Sequence, residues 1–254
     1  MTPTKLNFNL TGRTAVVTGA SRGIGEGIAA ALLEAGADVI CFQRSAPSNE
    51  LWATASRSER RLDHIDVDFS DEVSIAHAIL AAEQRGRVDI LVNNAGTQIR
   101  HDSVNFPLDD YDRVMDINAR AVFQLCTGFG KSMTERRDGK IINLGSLLSF
   151  QGGLRVPAYA ASKGAVAQLT KAFANEWASL GVNVNAVAPG YIATEMNNAL
   201  IADTDRNAQI SARIPAGRWG EPADIAGAVV FLASAAADYV HGVTLPVDGG
   251  WLGR

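Results

Sequence analysis

The chain predicts an α/β fold, a single domain built on a doubly wound parallel sheet of seven strands with helices on both faces. Three observations lead there. Short apolar runs suited to buried strands alternate with helical patterns along most of the sequence. A glycine-rich turn, Thr18-Gly19-Ala20-Ser21-Arg22-Gly23-Ile24-Gly25, joins the first of these runs to an amphipathic pattern over 24–35. The length of 254 residues, 47% of them apolar, fills one full-sized core and calls for no second domain.

In chain order, strands are expected near 14–18, 38–42, 62–66, 90–93, 140–144, 183–188 and 244–247. The runs Ala15-Val16-Val17 and Ile90-Leu91-Val92 have the continuous apolar character of strands covered on both faces. Two long helices are expected at 110–133 and 158–179, and a polar, interrupted helical excursion at about 194–213, which would act as a lid over a site. Ligands of such sheets lie over the carboxyl ends of the strands. Gly19, Asp68, Asn94, Ser146 and Pro189 each fall at or just after a strand end, so residues scattered in sequence converge on one rim.

Composition narrows the function. A formal net charge of −4 without a basic stripe argues against nucleic acid or an anionic membrane as the main partner. The longest apolar stretch, 226–237, is too short to span a bilayer, and 1–12 lacks the apolar run of a leader, so a cytoplasmic protein is expected. Cys41 and Cys126 fall in a strand and a helix and read as small buried hydrophobes. His64, His77, His101 and His241 show no metal-ligand spacing, and no metal is expected; only His101 lies where it would face a substrate.

The glycine turn between strand and helix is the context that a dinucleotide fingerprint requires, with pyrophosphate at the helix N-terminus. The spacing here is Gly-x-x-x-Gly-x-Gly. Farther on, Tyr159 and Lys163 stand four apart on one helix face. A tyrosine has a pKa of about 10, and proton transfer near neutrality asks for a shift costing about 3 to 4 kcal/mol, which a neighbouring ammonium favours.

Together with Asn93-Asn94-Ala95-Gly96, Asn118, Ser146 and Pro189-Gly190, these motifs in this order resemble the short-chain dehydrogenases/reductases over essentially the whole chain. The resemblance implies a Rossmann fold and an NAD(P)-dependent oxidoreductase. In that reading Ser146, Tyr159, Lys163 and Asn118 are catalytic. Ser146 binds a carbonyl oxygen, Tyr159 is the general acid or base, Lys163 lowers its pKa and holds the nicotinamide ribose, and Asn118 orders a water. Cofactor contacts fall to Gly19, Ser21, Arg22, Gly23, Ile24 and Gly25, to Arg44, Asp68 and Phe69, to Asn94, Ala95 and Gly96, to Tyr159 and Lys163, and to Pro189, Gly190, Ile192 and Thr194. Thr194 is equally placed to cap the next helix.

An acidic residue about 20 positions after the fingerprint would bind the adenosine ribose of NAD. That position holds Gln43, followed by Arg44. A guanidinium there suits the 2′-phosphate of NADP, and Arg22 points the same way, whereas the closer family resemblance points to NAD.

The segments 148–159, Ala174-Asn175-Glu176-Trp177-Ala178, Ile214-Pro215-Ala216-Gly217-Arg218-Trp219-Gly220 and Asp248-Gly249-Gly250-Trp251-Leu252-Gly253-Arg254 look like those of the 2-deoxy-D-gluconate 3-dehydrogenases, also called 2-keto-3-deoxygluconate oxidoreductases. A sugar-acid substrate follows from that likeness. Arg100, Gln151 and Arg155 are the candidate substrate contacts, being residues able to hold a carboxylate or a sugar hydroxyl, although Arg155 also suits a loop or subunit contact. Met196 is placed to close over the nicotinamide or to fill a core, and Arg218-Trp219 to support the lid. Two other functions stay open: a 3-oxoacyl carrier-protein reductase and a non-catalytic nucleotide-sensing regulator. A homotetramer joined through the two long helices is implied by the resemblance.

Overall fold

The computed structural model describes residues 7–254. All seven expected strands form: β1 (Thr14–Thr18), β2 (Asp38–Phe42), β3 (Leu62–Ile65), β4 (Ile90–Asn93), β5 (Gly139–Leu144), β6 (Val182–Pro189) and β7 (Thr244–Val247). β3 and β5 differ from expectation by one residue at one end, and β6 by one at each end. They pair in parallel throughout, in the order β3-β2-β1-β4-β5-β6-β7, with Val16 of β1 between Ile40 and Leu91. The order reverses direction between β1 and β4, which opens the crevice where ligands of this sheet type bind.

Helices cover both faces. Against one lie α1 (Gly23–Glu34), α2 (Asn49–Arg57) and α9 (Pro222–Ala233), whose Ile28, Leu32, Leu51, Val229 and Leu232 pack with Val17 and Val92. Against the other lie α3 (Glu72–Arg85), α5 (Ala121–Arg136) and α6 (Pro157–Trp177), contributing Ile75, Leu125, Phe129 and Val166 around Val16 and Leu91. Parallel strands sandwiched in this way must be apolar on both faces, which is why β1 and β4 are buried almost end to end.

The helix expected as one piece over 110–133 is interrupted. It runs as α4 (Leu108–Met115), a π-helical turn (Asp116–Arg120) and then α5. Periodicity does not reveal a π turn, because it inserts a single residue into an otherwise helical pattern. It carries Asn118 into the interior, where both protons of the side-chain amide are bonded.

The excursion after β6 consists of a short turn at Glu195–Asn197, then α7 (Asn198–Ala202) and α8 (Thr204–Arg213). Ile210 and Ile214 pack with Leu147 and Trp251 in a small separate core.

At the amino ends of the strands, away from the crevice, buried Asp89 accepts from the Thr14 main-chain N–H (2.9 Å), from Arg13 (3.1 Å) and from Arg87 (2.5 Å). Asp138 joins the same two arginines, tying β1, β4 and the start of β5. Among the described residues no helix is long and apolar enough to cross a membrane. The leader expectation for 1–12 concerns, in its first six positions, residues outside those described.

Candidate active site

The crevice is a cleft of about 1000 Å³. Sheet order arranges its walls: Gln43 and Arg44 after β2, the glycine turn after β1, Asn94 to Gly96 after β4, Ser146 after β5 and Pro189 to Thr194 after β6. Of the expected cofactor residues, every one lines it, including Ser21, Ile24, Phe69, Ala95, Gly190 and Ile192.

The turn is built for a close approach. A Cβ on Gly25 would lie 2.1 Å from the Gly19 carbonyl oxygen and 2.4 Å from Asn94 Nδ2, so only glycine fits. Asn94 Nδ2 donates to the carbonyls of Thr18 (2.9 Å) and Gly19 (3.0 Å), and Thr18 Oγ1 accepts from the N–H groups of Asn94 (2.9 Å) and Ala95 (2.8 Å). Asn94 thus stitches β4 to the turn. A glycine-rich cradle at a helix N-terminus, opening on a long cleft, fits a dinucleotide.

Tyr159 and Lys163 lie one turn apart on α6, with Nζ 5.7 Å from the phenol ring centroid. Lys163 is buried and donates to the Leu144 carbonyl at 2.6 Å, and burial lowers its pKa to about 8. Tyr159 keeps only part of its surface open, and here the expectation is corrected. Burial raises the phenol above its usual pKa of 10.0, opposed by the hydrogen bond with Ser146. Lys163 donates to Leu144 and stands 5.7 Å from the phenol ring centroid, and its charge is not among the causes that shift the phenol here.

Local bonds fix the other members. Ser146 is extended, its Oγ accepts from Leu148 N–H (3.2 Å), and its own N–H donates to Ser149 Oγ (3.2 Å). Ser149 Oγ in turn donates to the Lys163 carbonyl at 2.9 Å, locking the loop to α6. Asn118 accepts from Thr97 N–H (2.8 Å) and donates to the Thr97 carbonyl (2.9 Å) and Ser162 Oγ (3.1 Å), while Ser162 Oγ donates to the Tyr159 carbonyl (2.8 Å). The Asn118 side chain is thereby committed to holding α6 against the loop after β4. Sequence reasoning missed the partners Thr97, Ser149 and Ser162, the last two of which lie inside the segments it singled out without being assigned a part.

Arg100 and Gln151 line the cleft as expected, and so does Met196. Arg155 does not: it adopts a left-handed conformation (φ 66°) and pairs with Asp102 at 2.9 Å, the loop contact that its position equally suited. His101 also turns aside, with Nε2 2.7 Å from Asp110 and its ring edge-on to Phe106. Arg22 lines the mouth, where it makes an exposed ion pair with Glu195 at 3.0 Å. Arg44 is exposed on the cleft wall near Asp68. Hydrogen bonds from Ser70 hold the Asp68 carboxyl below the usual range, with Arg44 and Arg113 adding to the effect. Gln43 is buried and donates to the Ser45 carbonyl at 2.8 Å.

Thr194 stands at the N-cap of the next turn without a capping bond from its side chain. Trp219 supports α8, its Nε1 donating to Asn207 at 2.9 Å, whereas Arg218 grips Asp224 at the start of α9. Among the described residues, no group of three His, Cys, Asp or Glu is placed to hold a metal ion.

Comparison with known proteins agrees with this geometry. A family model described as Enoyl-(Acyl carrier protein) reductase matches residues 19–252. The chain is 48% identical over 247 residues to the 2-dehydro-3-deoxy-D-gluconate 5-dehydrogenase of Bacillus subtilis (strain 168), covering 97% of both. Its fold superposes with a TM-score of 0.92, at 52% identity, on an Agrobacterium tumefaciens protein solved with NADP and named as a candidate 2-deoxy-D-gluconate 3-dehydrogenase, covering 97% of this chain and 99% of that one. A gluconate 5-dehydrogenase from Burkholderia cenocepacia J2315, solved with NADP and tartrate, gives 0.90 at 41% identity and 98% coverage of each. Likeness over nearly the full length, in sequence and in fold, establishes that the chain belongs to the short-chain dehydrogenase/reductase family of NAD(P)-dependent oxidoreductases.

Proposed function

We propose that the protein interconverts a ketone and a secondary alcohol on a sugar acid of the 2-dehydro-3-deoxy-D-gluconate type. The observation that carries this reading is the convergence of Ser146, Tyr159 and Lys163 at the end of a dinucleotide-sized cleft whose remaining wall there includes Gln151 and Arg100. Related sugar-acid dehydrogenases at 48% identity support the substrate class.

When bound, the nicotinamide supplies or takes up the hydride. The rest of the work falls to the chain. Ser146 donates a hydrogen bond to the substrate oxygen, and Tyr159 delivers the proton as that oxygen gains charge. A phenol kept protonated by burial suits the reductive direction, where it must hold its proton until the alkoxide forms. In oxidation the same phenol oxygen takes the alcohol proton, which asks Lys163 to turn its ammonium from Leu144 toward the ribose and phenol. Asn118 positions α6 through Ser162.

Arg44 makes NADP the nucleotide we favour, by pairing its exposed guanidinium with a 2′-phosphate. The excursion 194–213 serves as the lid. The assembly is a homotetramer built on α4, α5 and α6, where Leu108, Tyr111 and Phe123 are exposed. A reducing cytoplasm suits the free buried thiols Cys41 and Cys126, both pushed up to about 12 by burial.

The test is the rate of NAD⁺ and NADP⁺ reduction with 2-dehydro-3-deoxy-D-gluconate, and of NADH and NADPH oxidation with a 5-keto-4-deoxyuronate, beside an acetoacetyl thioester. Turnover of the sugar acids alone is expected. Turnover of the thioester alone would replace the substrate class with that of the 3-oxoacyl reductases, and absence of any turnover would favour a sensor.

A further inference from the structure

The arginines of the cleft divide by what already holds them. Arg22 is paired with Glu195, and Arg44 and Arg113 lie toward Asp68 at the nucleotide end. Two remain among the described residues that line the cleft, Arg100 and Arg206. Arg206 meets only a neutral partner, donating Nη1 to Gln209 Oε1 at 2.9 Å. A planar fork of donors left on a cleft wall without a carboxylate is the group best shaped to take one from a ligand.

Its mounting is firm. Arg206 stands in the first turn of α8, with its N–H bonded to Asp203 Oδ1 at 3.0 Å. The next residue, Asn207, donates to the Ile201 carbonyl (3.1 Å) and accepts from Trp219 Nε1 (2.9 Å) and Ser211 Oγ (3.1 Å), so α7, α8 and the segment before α9 are pinned together. Below, Ile210 is buried, and Arg213 stacks 3.9 Å over the buried Trp251 ring. The C-terminal Arg254 donates to the Ala212 carbonyl at 3.3 Å. Arg100, by comparison, sits on the loop after β4, without a helical platform.

We infer that Arg206 reads the carboxylate of the substrate, pairing with it across the cleft from Ser146 and Tyr159 and so selecting an acid over a neutral sugar. This rests on the sugar-acid reading above. It assigns a specificity-determining role to a residue of the excursion that no motif marks.

The experiment measures kcat and KM with saturating NADPH or NADP⁺ for 2-dehydro-3-deoxy-D-gluconate and for its methyl ester, which lacks the charge and carries one further methyl group. The variants are Arg206→Gln, Arg206→Lys and Arg100→Gln. For Arg206→Gln, kcat/KM for the acid is expected to fall by about tenfold or more, with the ester and the nucleotide KM unchanged, so the preference for the acid collapses. Arg206→Lys keeps the charge but not the fork and should recover part of the loss. If the wild type turns over the acid and Arg206→Gln keeps its preference, or Arg100→Gln alone removes it, the inference is overturned while the sugar-acid reading stands. Failure of the wild type to turn over any sugar acid overturns both.

Discussion

Lys163 donates its ammonium to the main-chain carbonyl of Leu144 at 2.6 Å, so the cation of the site is moored to the end of β5 and not to the phenol one turn away. The proton donor and its cation are thus held on separate partners, Ser146 and Leu144. That arrangement shapes the pH and mutational behaviour expected of the enzyme.

Replacing Tyr159 with Phe removes the proton donor and little else, because the ring still packs. Turnover is expected to fall by about 10²- to 10⁴-fold, with NADPH affinity, read by fluorescence titration, nearly unchanged. Lys163→Ala should weaken both. Near wild-type turnover in the Phe variant would remove Tyr159 from proton transfer.

Burial brings Lys163 to about 8, below its ordinary 10.5. Between those values the unfolded chain holds a proton that the folded chain has released, so the stability contributed by this group rises with pH across the window and is least below it. Urea unfolding of the cofactor-free protein and of Lys163→Met, compared from pH 7.5 to 9.5, should show the difference moving in favour of the wild type. A difference independent of pH would mean that the ammonium is not penalised by its burial.

Arg44 is expected to discriminate between nucleotides. Arg44→Gln should raise the KM for NADPH by about tenfold, the worth of a charge-assisted pair on a partly exposed wall, and leave that for NADH unmoved. Equal effects on both nucleotides would assign the residue to general electrostatics.

Asp89 is an organising charge at the opposite end of the sheet. Asp89→Ala would strand the Thr14 N–H and parts of two arginines that are only half exposed, and a loss of about 2 kcal/mol in unfolding free energy is expected by chemical denaturation. Activity at low temperature should survive, since no cleft residue is touched.

The exposed apolar residues of α4 and α5 should be covered in an assembly. Sedimentation equilibrium is expected to return four chains at micromolar concentration, and a stable monomer would sink the tetramer.

The sequence by itself determined the strands, their alternation with helices and the glycine cradle, because these follow from local rules: continuous burial of parallel strands, helical periodicity, and a turn where any Cβ collides. It also placed Gly19, Asp68, Asn94, Ser146 and Pro189 on one rim, since each falls at or just after a strand end, and the family resemblance set Tyr159 and Lys163 beside Ser146. Tertiary structure alone decided how the charges are spent. Arg155 and His101 sit beside the site in sequence, yet find Asp102 and Asp110 and turn away. Arg22 finds Glu195 across the cleft mouth, some 170 positions later in the chain. Arg206, in a polar stretch with no motif, is left facing the cleft with only a neutral amide. A guanidinium acts through whatever anion lies within reach, and which one that is depends on chain segments far apart in sequence that only the folded backbone brings into contact.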